Sequence, residues 1–211
     1  REYAFEKLSQ RAEFQSIRQA HADTIAALLD KVRVAAGSPN EVTWFAKLDD
    51  ELDNLRSAVE WALANNQPLI AIAAGRPHYY WEQRVRLHEP LGWLERALAI
   101  ATDIPLLERA YAFNSAGNLS LGDSPRAKKY YESALALFQE ANDGDGISRA
   151  LNNVGLIAWR EKDFDKSRQL LEASLVHESR DSFGVSMTLN NLGSLARIRG
   201  DWEQSREYYL R

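Results

Sequence analysis

Few residues in this 211-residue chain have the types and spacing that catalysis needs. The histidines His21, His78, His88 and His177 lack the His-x3-His or Glu-x2-His spacing that would bring two metal ligands onto one helix face. Surface or packing roles are expected of them. Asn142-Asp-Gly-Asp-Gly146 has the composition of a calcium loop but not the ligand order or closing glutamate of an EF-hand, and it is read as a turn between repeats. Neither a Gly-x4-Gly-Lys-Ser/Thr phosphate loop nor a Gly-x-Ser-x-Gly elbow occurs. Cysteine is absent, which removes disulfides, thiolate metal sites and thiol nucleophiles together. The chain is therefore read as non-enzymatic, with no metal and no cofactor of its own.

What does recur is the side-chain amide. Phe113-Asn-Ser-Ala-Gly117, Leu151-Asn-Asn-Val-Gly155 and Leu189-Asn-Asn-Leu-Gly193 place an asparagine and a glycine in fixed register at a spacing of 38 residues. Each unit continues in the same way. Apolar residues at helical spacing, such as Leu151, Val154 and Ala158, are followed by a turn at Gly122-Asp123, Lys162-Asp163 or Gly200-Asp201. The aspartates suit helix N-caps, where a carboxylate accepts from free backbone amides. Small residues follow at Ala127, Ser167 and Ser205, then large ones at Tyr131, Leu171 and Tyr209. Small faces opposite large ones let two helices approach closely. The expected fold is all-α: antiparallel helix pairs stacked into a solenoid.

This small–large pattern resembles the tetratricopeptide repeat, whose period is about 34 residues. The resemblance implies a right-handed superhelix. A period of 38, a missing closing proline and a shorter turn in the first unit depart from the family pattern. By the same resemblance, the first helices turn certain positions toward a concave groove. These are Tyr111, Asn114 and Asn118 in one unit, Arg149, Asn152, Leu156 and Trp159 in the next, and Asn190, Ser194 and Arg197 in the third. Side-chain amides can donate to and accept from an extended peptide, or they can brace neighbouring repeats; both readings stay open. Trp93-Leu-Glu-Arg-Ala-Leu98 echoes the second helices, so 69–83 and 87–101 are read as a degenerate earlier pair carrying Tyr79, Tyr80 and Trp81 as core. The repeat array is divided at 67–102, 106–142, 147–180 and 185–211, the last incomplete.

Residues 1–66 read as a helical connector. A helix or two in tandem is expected over 1–36, broken near Ser9–Arg11 and carrying an inward stripe of Ile17, Ala20, Thr24, Ala27, Leu28 and Val32. Helices are expected again from Trp44 and over 53–63. The net charge of −4 offers no general basic field for a nucleic-acid backbone. The apolar runs are too short to span a bilayer, and Arg1–Leu8 does not have the plan of a signal peptide. A cytoplasmic location is expected, with neither direct nucleic-acid binding nor membrane binding. Without an initiator Met, and with its last unit incomplete, the chain is read as part of a larger protein.

Two N-terminal stretches carry a second resemblance. Arg1-Glu-Tyr-Ala-Phe-Glu-Lys-Leu8, and His21…Trp44…Leu48-Asp-Asp-Glu-Leu-Asp-Asn-Leu-Arg56-Ser-Ala-Val-Glu-Trp61, are similar to the segments before the repeats of bacterial signal-transduction ATPases of the STAND class. That group includes LuxR-type and antibiotic-regulatory transcription activators. The resemblance implies an ATP-binding module and an output module elsewhere in the polypeptide, with helical repeats that sense a protein, peptide or small inducer and control oligomerisation. A stand-alone scaffold or adaptor, and self-association through the terminal repeat, are the competing readings.

Overall fold

The computed structural model describes residues 13–100, 103–177 and 183–211, and all regular structure in them is helical. The expected break near Ser9–Arg11 lies outside the described residues. The chain forms two compact units, Arg1–Ile104 and Pro105–Arg211. The first contains α1 (Phe14–Ala35), α2 (Glu41–Asp50), α3 (Leu52–Ala64), α4 (Pro68–Gly75), α5 (His78–Gln83) and α6 (His88–Ile100). The second contains α7 (Leu106–Leu119), α8 (Ser124–Glu140), α9 (Gly144–Arg160), α10 (Phe164–His177), α11 (Phe183–Ile198) and α12 (Trp202–Leu210).

In the second unit the helices pair as α7 with α8, α9 with α10 and α11 with α12. All three expected N-caps form. Asp123 accepts from the Arg126 amide, Asp163 from Lys166 and Asp201 from Gln204, at 3.1–3.2 Å. A left-handed residue precedes two of these caps, Gly200 (φ 81°) before Asp201 and Lys162 (φ 63°) before Asp163. Asn142 is likewise left-handed (φ 53°), so the Asn142–Gly146 stretch is a junction and not an ion loop; its last three residues already belong to α9.

Within each pair, glycine lies against the large residue of the second helix. A Cβ on Gly117 would come within 2.4 Å of the Tyr131 ring, and one on Gly193 within 2.8 Å of Tyr209. At Gly155 the neighbour is Leu171, whose Cγ would stand 3.1 Å away. Tyr131 and Leu171 are fully buried, and each also packs on the next first helix: Tyr131 on Val154 and Ile157, Leu171 on Leu192 and Leu195.

The first unit repeats this device once, with Gly75 of α4 beneath Leu94 of α6. The single helix expected over 69–83 is instead two, because Pro77 offers no amide proton to continue the ladder and its own backbone (φ −75°, ψ 63°) leaves the helical region. Tyr80 and Trp81 are fully buried, while Tyr79 is 45% exposed and stacks on His78. Trp81 donates from Nε1 to the Ala74 carbonyl at 2.8 Å, so the core indole bridges the break. The inward stripe of α1 is also corrected. Ala22, Ile25, Leu29, Val32 and Ala35 are buried, whereas Ile17 is 59% exposed and Thr24 and Ala27 face solvent. Both stripes have helical spacing, and packing on α2, α3 and α4 selects between them.

Asp49 ties α2 to α5. It accepts from the Tyr80 hydroxyl at 2.8 Å and pairs with the Arg84 guanidinium, which lies over the Tyr80 ring. The Arg84 hydrogen bond holds the Asp49 carboxyl below its ordinary value, against an opposing push from burial. A lowered folded-state value means the contribution to stability is complete above the ordinary carboxylate value and is lost as pH falls through the folded one. The urea midpoint of Asp49→Asn should therefore lie below wild type at neutral pH, and the gap should narrow below about pH 4. A pH-independent gap would contradict this. In the second unit, Gly117→Ala should destabilise by about 1–2 kcal/mol, because the Tyr131 ring cannot retreat. Gly155→Ala should be near neutral, since better helix propensity offsets a smaller displacement of Leu171. Denaturant titration of both variants distinguishes the two environments.

Candidate interaction face

The asparagines of the first helices separate into two kinds. Asn114 and Asn152 are buried, 4% and 7% exposed, and each accepts an amide proton from the following repeat. Asn153 Nδ2 donates to Asn114 Oδ1 at 3.0 Å, and Asn191 Nδ2 donates to Asn152 Oδ1 at 3.0 Å. Thr188 adds a second donor to Asn152 at 3.3 Å, and its own hydroxyl accepts from Ser174 at 3.3 Å. These amides hold consecutive first helices in register. A buried amide is expensive unless satisfied, so the same pairs also specify the stacking.

Asn190 occupies the equivalent place in α11 and is exposed. Arg149 and Arg197 are exposed as well, and neither is paired with a carboxylate or carbonyl among the described residues. Leu156 is half-buried between these polar positions. The remaining predicted contacts are committed to packing within the array. Tyr111 lies edge-on to Phe138 and reaches Asp143 Oδ2 at 3.1 Å. Asn118 accepts from the Tyr131 hydroxyl at 2.9 Å, and the Ser194 and Tyr209 hydroxyls are 2.9 Å apart. Trp159 is half-buried against the cluster of Leu171, Leu192 and Leu195.

Sequence reasoning missed the donors Asn153 and Asn191. Their signal was present as the doublets Asn152-Asn153 and Asn190-Asn191. The first unit reads Asn114-Ser115, and the doublet appears only where an asparagine of a preceding repeat awaits a donor. Cross-repeat ion pairs, Lys128 with Glu161 and Asp165 with Arg199, add to the stacking; Glu161 and Arg199 occupy one register position with opposite charge. Among the described residues no group of three histidine, aspartate or glutamate side chains could hold a metal ion. No described helix is long and apolar enough to cross a membrane.

Residues 108–175 match the tetratricopeptide repeat family model. That stretch is similar to tetratricopeptide repeats. Over 166 residues the chain is 28% identical to proteins of Mycobacterium tuberculosis and Mycobacterium bovis named as candidate HTH-type transcriptional regulators. The match covers 74% of this chain but 19% of those proteins. Among solved structures, BtubC from P. vanneervenii superposes with a TM-score of 0.61 at 19% identity, covering 90% of this chain and 87% of that one. A kinesin light chain protein with TPR-like repeats from Podosopora anserina gives 0.66 at 11% identity, covering 89% and 92%. At these identities the likeness is one of fold.

Removing the buried amide tests the bracing role. Asn152→Ala should cost about 1–3 kcal/mol, because the Asn191 and Thr188 donors lose their acceptor. Asn190→Ala should cost a few tenths at most. Equal losses in thermal or urea unfolding would overturn the division into buried braces and an open position.

Proposed function

We propose that the chain is the sensing and oligomerisation module of a bacterial transcription regulator, taking a protein, peptide or inducer on the first-helix face of its repeats. The observation that carries this reading is Arg149 and Arg197, exposed on the first helices with the half-buried Leu156 between them in sequence. Both guanidinium groups lack a carboxylate or carbonyl partner among the described residues, and Asn190 adds a side-chain amide on α11. Recognition on such a face is directional. Guanidinium forks suit carboxylates or main-chain carbonyls, and the amide can both donate and accept. The buried Asn114 and Asn152 contribute by keeping the recognising helices in register and not by touching the partner.

The regulator context is supported by the relatives named as HTH-type regulators and by the N-terminal stretch through Arg56 and Trp61. In the first unit Arg56 makes a two-pronged ion pair with Glu89 at 2.6 and 3.0 Å, and Arg96 makes one with Glu60. These pairs join α3 to α6, so the segment resembling the pre-repeat connector is part of a packed body. A STAND-type ATPase and a LuxR-like DNA-binding module elsewhere in the polypeptide complete the proposal, with ATP belonging to that module alone. Nucleic acid is contacted there and not by these residues.

The test is selection from a displayed peptide library on the 211-residue chain, followed by titration of a selected peptide. Arg149→Glu with Arg197→Glu should weaken capture at least tenfold while the melting temperature stays close to wild type. Asn152→Ala should lower the melting temperature and leave capture below that temperature largely intact. Unchanged capture by the double arginine variant would sink the assignment of this face.

A further inference from the structure

The apolar stripe of α1 that does not enter the core forms a groove with α2 and the start of α3. Thr24, Ala27 and Leu28 line it from α1, above the buried Ile25, and the cavity volume is about 410 Å³. That volume falls within the range of small-molecule sites. The groove is built wholly from residues of the first unit, and it does not rest on the reading of the repeat face.

Its wall carries charges of both signs. Lys47 Nζ lies 4.1 Å and Lys31 Nζ 5.3 Å from the centre of the Trp44 ring. The indole attracts each ammonium, which brings two like charges onto one ring. Neither lysine is paired with a carboxylate among the described residues, although Asp50 and Glu51 line the same groove. Those two acids follow Lys47 along the chain, beside Asn54, whose amide donates to Glu51 at 2.6 Å. On α1, His21 and Lys31 are ten residues apart, or about 15 Å along the helix axis. An apolar trough thus runs beside two uncompensated cations, with acidic groups also on its wall.

We propose that this groove binds a hydrophobic monocarboxylate, its carboxylate between Lys31 and Lys47 and its hydrocarbon part along Thr24, Ala27 and Leu28. The carboxylate relieves the repulsion between the two ammonium groups and forms charge-assisted hydrogen bonds with them. Asp50 and Glu51, three and four residues beyond Lys47, repel a carboxylate placed farther along α2 and so favour the lysine pair as its seat. The hydrocarbon covers apolar surface that α1 otherwise leaves in water. An organic cation of equal length lacks a partner at the lysine pair.

Titration calorimetry of the 211-residue chain with sodium octanoate is the direct experiment, with octylammonium chloride and octanol as matched probes. Octanoate should bind saturably with one site in the millimolar range or tighter, and amide NMR shifts should gather on α1 and α2. Lys31→Gln with Lys47→Gln, both exposed positions, should weaken octanoate roughly tenfold or more. Ala27→Asp, also exposed, should abolish binding with an unchanged circular dichroism melt. The proposal is overturned if octanoate shows no saturable binding, if octylammonium binds as well, or if the double lysine variant binds octanoate like wild type.

Discussion

The contact on which the repeat region depends is the one between a glycine of each first helix and a large side chain of its partner. At Gly117 and Gly193 the facing residue is a tyrosine, at Gly155 a leucine, and at Gly75 in the first unit again a leucine. Close approach at this point sets how far apart the helices of a pair lie, and hence which residues of the second helix remain to meet the next pair. Tyr131 and Leu171 do both, touching the glycine on one side and two apolar residues of the following repeat on the other. One side chain therefore couples the geometry within a repeat to the geometry between repeats. This is the nearest-neighbour arrangement that lets such arrays gain stability unit by unit.

Polar specificity is laid over that apolar contact. Leucine against leucine tolerates slippage along the axis, whereas Asn153 with Asn114 and Asn191 with Asn152 satisfy one another in a single register. Where another repeat follows within the described residues, the asparagine is enclosed and braces.

The first unit uses different means. Its core is aromatic, with Phe45, Tyr80, Trp81 and Trp93 meeting edge to face at centroid distances of 4.8–5.6 Å. Asp49, Arg84 and Tyr80 close one side of that cluster with ionic hydrogen bonds, and the Arg56–Glu89 pair joins α3 to α6. These are particular contacts and not a repeated device, and the unit accommodates a proline break inside what begins as a helix pair.

Period, glycine placement, the N-capping aspartates and the small–large alternation were all legible in the chain, because each depends on residues a few positions apart. These local signals determined an all-helical repeat fold and three of its turns. The inward face of α1 was not legible, since its two apolar stripes are equally helical and only packing against α2, α3 and α4 buries Ala22, Ile25 and Leu29. Nor could spacing alone say that Asn114 and Asn152 are enclosed while Asn190 is open, because burial of an amide is decided by the neighbour stacked on it. Sequence determined that amides recur in register. Tertiary structure decided that Asn114 and Asn152 are buried braces, because the repeat stacked on each consumes its hydrogen bonds.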